Sequence, residues 1–117
     1  MKNTILFFTL FFVVGYAFAA GNIAAGKKIA EQKCAECHGI DGNKAPTSDY
    51  PRLAGQYPDY LVRTLLDYKS GARKDAAMGA QMATLCEHAE DTKCFKTKIE
   101  DVAAYYASLP SLLTVKK

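Results

Sequence analysis

The stretch Cys34-Ala35-Glu36-Cys37-His38 places two thiols three positions apart and an imidazole directly after the second. Two thiols at that spacing reach the two vinyl-derived carbons on one side of a porphyrin, and the next residue then lies under the iron, so C-x-x-C-H predicts c-type haem attachment. Covalent attachment retains a haem in a protein too small to enclose it, and the imidazole becomes the proximal ligand. Other chemistries also pair cysteines. A thioredoxin-like redox motif needs strands in a βαβ context, whereas no stretch here alternates convincingly with period two. A zinc site needs a second close pair, but Cys86 and Cys94 are eight positions apart rather than about two to four. A plain Cys34–Cys37 disulfide would leave the chain's long loops nothing to wrap. The expected cofactor is one covalent haem c with its iron.

The N-terminus supplies the compartment. Lys2 precedes an apolar run from Ile5 to Val14, followed by the small-residue stretch Ala17-Phe18-Ala19-Ala20, the three regions of an export signal. Cleavage is expected after Ala19, with Ala20 nearly as good. The run from Thr4 to Phe18 is short against the roughly 20 apolar residues that span a bilayer, so no stable membrane insertion is expected after cleavage. Residues 1–19 therefore read as a cleaved signal peptide and residues 20–117 as one domain in the periplasm. Removing nineteen of 117 residues leaves 98, enough for one domain and too few for two. Without Lys2 the balance is 14 Lys plus Arg against 12 Asp plus Glu, a net charge of +2. That balance excludes a strongly basic nucleic-acid binder.

Three main helices are expected. Asn22 caps a first helix with Ile23, Gly26, Ile29 and Ala30 at helical spacing, running into Cys34. Gly39 to Gln56, punctuated by Gly39, Gly42, Pro46, Pro51 and Gly55, reads as a long loop, which in so small a domain needs something to wrap. Pro58 suits the first turn of a second helix, with Leu61, Leu65 and Tyr68 on one stripe and Gly71 as its stop. A second irregular stretch then holds Met78 and Met82. Thr97 and Glu100, at capping-box spacing, open a last helix that ends before Pro110. The class is all-α, with long loops around one haem.

The order and spacing of Cys34 to Gly39, Asp41-Gly42, Pro51-Arg52-Leu53-Ala54-Gly55-Gln56, Tyr60-Leu61, Gly71-Ala72-Arg73, Met78 and Val102-Ala103-Ala104-Tyr105-Tyr106-Ala107 resemble a class I cytochrome c. The similarity is to the small bacterial c-553 type and to single domains of the related two-haem cytochromes. It spans essentially the whole mature chain and departs from the pattern at Cys86 to Phe95, which looks like an insertion. The resemblance implies the class I cytochrome c fold and a set of roles. Cys34 and Cys37 hold the haem, and His38 and Met78 ligate the iron. Pro51 offers its carbonyl to the free imidazole N–H, and Arg52 pairs with a haem propionate. It also implies that Gly26 meets Tyr105 or Tyr106 where the first and last helices cross. Met82, four residues after Met78, and His88 stay open as alternative ligands.

With two thiols committed to haem, Cys86 and Cys94 remain in an oxidising compartment, and a disulfide between them is expected. Their separation lets the chain turn back within the Cα distance of about 4.4 to 6.8 Å that a bridge needs. No acid–base cluster accompanies the haem motif, so no catalytic residue is assigned and no enzyme is expected. His/Met ligation fills both axial positions and predicts one-electron transfer between respiratory partners, such as a quinol-oxidising complex and a terminal oxidase or reductase. The alternative is a cytochrome subunit of a periplasmic dehydrogenase or another redox complex. Lys27, Lys28, Lys33, Lys69, Arg73 and Lys74 are candidates for a basic docking rim.

Overall fold

Asn22 sits in extended backbone and accepts a hydrogen bond from the Ala25 N–H through its side chain, which opens α1, Ile23–Lys33. A computed structural model describes residues 21–112, so the expected signal peptide, residues 1–19, lies outside the described residues. Four more helices follow: α2 (Ala35–His38), α3 (Pro58–Ser70), α4 (Ala76–Ala83) and α5 (Thr92–Ser108). No strand occurs among the described residues, and the fold is all-α.

α1 and α5 cross closely. A Cβ on Gly26 would run into the Asp101 carbonyl and would stand 2.9 Å from the Tyr105 Cβ, so only glycine allows this approach. Tyr105 therefore fills the crossing, while Tyr106 packs against Gly42 in the loop after α2. Asp101, itself buried, accepts a hydrogen bond from the Asn22 N–H at 2.6 Å and ties the start of α1 to α5.

The apolar side chains form two clusters. Ala30, Leu61, Val102, Ala103, Tyr105 and Tyr106 join α1, α3 and α5, whereas Met82, Leu85, Cys86, Phe95 and Ile99 join α4 to α5. Ile29, Val62 and Leu65 touch both clusters, so α1 and α3 link the two halves of the core.

Two expectations about the elements are corrected. The stretch with Met78 and Met82, read as irregular, is α4: Asp75 caps it, and Ala76, Ala77, Ala80 and Ala83 are strong helix formers that outweigh Gly79. The last helix starts at Thr92, not Thr97, because the Asp91 carboxylate accepts the Cys94 N–H at 2.8 Å and caps it earlier. Thr97 and Glu100 are interior positions of α5. The other helix signals lie as expected, with Pro58 in the first turn of α3 and Gly71 left-handed (φ 80°) at its end.

Candidate functional site

Cys34 ends α1 and begins α2, so its backbone belongs to both helices. Its carbonyl accepts the N–H groups of Cys37 at 3.2 Å and His38 at 3.0 Å, which winds the motif into a single helical turn. Residues three and four apart share a helix face. Cys34, Cys37 and His38 are thereby gathered on one side of the chain. Gly39, at φ 77°, stops the turn, and the chain leaves into the loop.

Two tyrosines of α5 hold that exit. The Tyr105 hydroxyl donates to the Ile40 carbonyl at 2.8 Å and the Tyr106 hydroxyl to the Gly39 carbonyl at 3.2 Å. Burial raises the Tyr106 phenol, which stays a donor. The Asp41 carboxylate then accepts the N–H groups of Asn43 and Lys44, both at 3.0 Å, and closes the next turn. The buried Asn43 side chain donates to the Asp41 and Pro110 carbonyls and accepts the Leu112 N–H. These supports are invisible as a motif, although Asp41-Gly42-Asn43 carries turn chemistry in its composition.

His38 is buried, and its Nδ1 lies 2.9 Å from the Pro51 carbonyl oxygen. A carbonyl only accepts, so Nδ1 carries the proton and the Nε2 lone pair is left available to a metal. The Tyr50 ring meets the imidazole edge-on at 6.2 Å. Cys34 and Cys37 are half-buried and unbridged. Burial, with the neighbouring Cys37 charge adding to it, pushes the Cys34 thiol up to about 11. Catalytic and metal-binding cysteines need the opposite shift, toward thiolate. Two unbridged thiols three positions apart, beside an imidazole whose Nε2 is available, are the donor set that covalent haem needs.

The remaining candidates divide. Arg52 is exposed and lines an open cleft of about 440 Å³ with Asn43, Thr47, Ser48, Tyr50 and Pro51. Met82 is buried in the second core cluster, whereas Met78, one helical turn earlier, is half-buried. His88 is exposed in the turn before α5. Cys86 and Cys94 are bonded to each other, with Cα atoms 6.2 Å apart, which leaves no second cysteine pair for zinc. Of the docking lysines, Lys69 is engaged: its Nζ donates to the Ala89 carbonyl at 3.0 Å and sits 4.0 Å over the Phe95 ring.

Known proteins share this arrangement. The family model described as Cytochrome c matches residues 23–110. Cytochrome c4 of Stutzerimonas stutzeri is 38% identical over 97 residues, covering 82% of this chain and 45% of that protein. The solved structure of reduced recombinant cytochrome c4 from Pseudomonas stutzeri superposes with a TM-score of 0.64 at 33% identity, over 79% of this chain and 47% of that one. The chain thus spans about half the length of the cytochrome c4 relatives it matches. Cytochrome c-554(548) of Halomonas halodenitrificans is 40% identical over 91 residues, and there the match covers 76% of this chain and 98% of the relative. With its helices, its C-x-x-C-H turn and a relative matched almost end to end, this chain belongs to the cytochrome c family and carries that family's covalent haem c with its iron.

Proposed function

We propose that this protein carries single electrons between redox partners in the periplasm through a haem c attached to Cys34 and Cys37 and ligated by His38 and Met78. The observation that carries this reading is the His38 imidazole, fixed by Pro51 so that its available nitrogen is Nε2, beside two unbridged thiols on one helical turn. When bound, haem c supplies a one-electron iron couple. Everything else falls to the chain. Cys34 and Cys37 fix the cofactor's place, and the Pro51 carbonyl holds the imidazole ring and raises its basicity. Met82 is occupied as core, which leaves Met78 as the thioether free to serve as distal ligand. A soft thioether favours reduced iron and raises the potential relative to two imidazoles. With His38 and Met78 both holding the iron, a substrate would find no open place on it, which supports a carrier in place of an enzyme. Arg52, at the open cleft, is the cation offered to a propionate.

No helix among the described residues is long and apolar enough to cross a membrane. Export on the signal peptide, with cleavage after Ala19 or Ala20, delivers the chain to the compartment where its disulfide persists. The partners are a quinol-oxidising complex and a terminal oxidase or reductase. Optical spectra of the purified protein in both redox states test the reading: covalent, low-spin haem with a thioether-to-iron band when oxidised is expected. A high-spin spectrum, or haem extracted by acidified acetone, would overturn it.

A further inference from the structure

α4 carries Met78 in its first turn, and its two ends are anchored to different parts of the molecule. At the C-terminal end Met82, Leu85 and Cys86 enter the core, Lys98 Nζ donates to the Leu85 carbonyl at 2.7 Å, and Cys86 is bridged to Cys94. Those anchors lie beyond Met78. Nothing comparable packs around Gly79, where an added Cβ would meet no atom within 4 Å.

The N-terminal end is held differently. Left-handed Gly71 ends α3 and turns the chain back, and the Arg73 N–H donates to the Asp67 carbonyl at 3.1 Å. The Arg73 guanidinium lies 5.0 Å from the Tyr68 ring centre, and Arg73, with the Thr64 side chain, holds the Tyr60 phenol below its usual value. Two residues later Asp75 is extended, and its Oδ1 accepts the Met78 N–H at 2.8 Å. Beside the direct packing of α4 on α3, the approach to the methionine backbone is thus held by the Arg73 cation–aromatic contact, the Arg73–Asp67 backbone hydrogen bond and the Asp75 cap.

We infer that Arg73 and Asp75 are positioning residues that hold the Met78 thioether in place, Arg73 by fastening the approach to α3 and Asp75 by fixing the Met78 N–H. The inference rests on Met78 being the distal ligand. A side chain in the first turn of a short helix follows the backbone of that turn. Freeing the capped N–H lets the turn unwind and gives a competing ligand its chance.

Imidazole titrated into the oxidised holoprotein, followed by loss of the thioether-to-iron band, measures this directly. Asp75→Ala should bind imidazole about fivefold more tightly, the equilibrium equivalent of one lost helix cap, and Asp75→Asn should stay within about twofold of the parent because Asn caps equally well. Arg73→Lys keeps the charge but loses the flat fork over Tyr68, and should shift affinity in the same direction as Asp75→Ala. A merely structural role would lower the melting temperature and leave imidazole affinity alone. Unchanged affinity in Asp75→Ala, or failure of Asp75→Asn to rescue, overturns the inference. Met78→Ala, which has no thioether band and is therefore titrated through the shift of its main haem absorption, separates it from its premise: if that variant binds imidazole no better than the parent, the ligand assignment falls, whereas a tightened Met78→Ala beside an unchanged Asp75→Ala sinks only the positioning role.

Discussion

Two methionines four positions apart on one short helix have opposite surroundings. Met82 is 5% exposed among Leu85, Phe95 and Ile99, so Met82→Ala should cost about 2 to 5 kcal/mol of unfolding free energy and leave the thioether-to-iron band intact. Met78→Ala should abolish the band and lower the reduction potential. Denaturation curves and redox titrations on the pair decide it, and loss of the band in Met82→Ala alone would reverse the assignment. Asp41 shows a pH effect at the same scale. Hydrogen bonds from the Asn43 and Lys44 N–H groups, with the Lys44 charge, hold its carboxyl below the usual range. A folded value below the unfolded one means that its contribution is present above the ordinary carboxylate range and is lost as the pH falls through the depressed folded value. Acid unfolding of Asp41→Asn should lack that component, and an acid limb unchanged by the substitution would show that the turn does not depend on the charge.

At the scale of elements, the segment from Cys86 to Cys94 joins α4 to α5 through a polar stretch that contributes no core residue between its cysteines other than their own bridge. Closing so short a loop is worth about 2.5 kcal/mol in the chain-entropy account. Replacing both cysteines by Ser should lower stability by roughly that amount while the haem spectrum stays unchanged. Peptide mapping without reductant supplies the direct check: alkylation of both Cys86 and Cys94 after denaturation would show that the bridge does not form in the mature protein. The α1–α5 crossing is the other element-level test. Gly26→Ala forces a methyl group into the Asp101 carbonyl, and a loss of about 1 to 3 kcal/mol is expected from such overpacking.

For the whole molecule, the basic residues proposed as a docking rim differ in how far they are held by intramolecular contacts. Lys27 pairs with Glu31 at 3.9 Å, Lys69 is stapled to Ala89 and Phe95, and Arg73 is clamped on α3. Lys33 reaches the Thr84 hydroxyl at 3.5 Å, and exposed Lys28 and Lys74 have the freest charges for guiding encounter. Reduction by a partner should slow as ionic strength rises, since screening acts over about 10 Å at 0.1 M salt, and Lys28→Gln with Lys74→Gln should flatten that dependence. Lys69→Gln should instead lower stability and leave the salt slope alone. Stopped-flow rates across a salt series distinguish the two, and a flat profile for the parent protein would leave these residues as ordinary surface.

Local chemistry was legible from the chain alone. C-x-x-C-H, Asn22 before an apolar repeat, Pro58 and Gly71 each state a conformation through their own covalent geometry or nearest hydrogen bonds, so α1, α3 and the haem turn could be read directly. The pairing of Cys86 with Cys94 followed from counting thiols in an oxidising compartment. Boundaries that depend on competing caps were not legible. Asp75 and Asp91 overrode the irregular reading of the methionine stretch and a capping box farther on, because a carboxylate in reach of an unpaired N–H outweighs spacing that merely permits a cap. Residue type does not separate Met78 from Met82 on one helix, and the spacing that favoured Met78 came from the family resemblance with Met82 left open. Burial distinguishes them, and burial exists only once α4 lies against α5 and long-range packing has chosen which thioether becomes core.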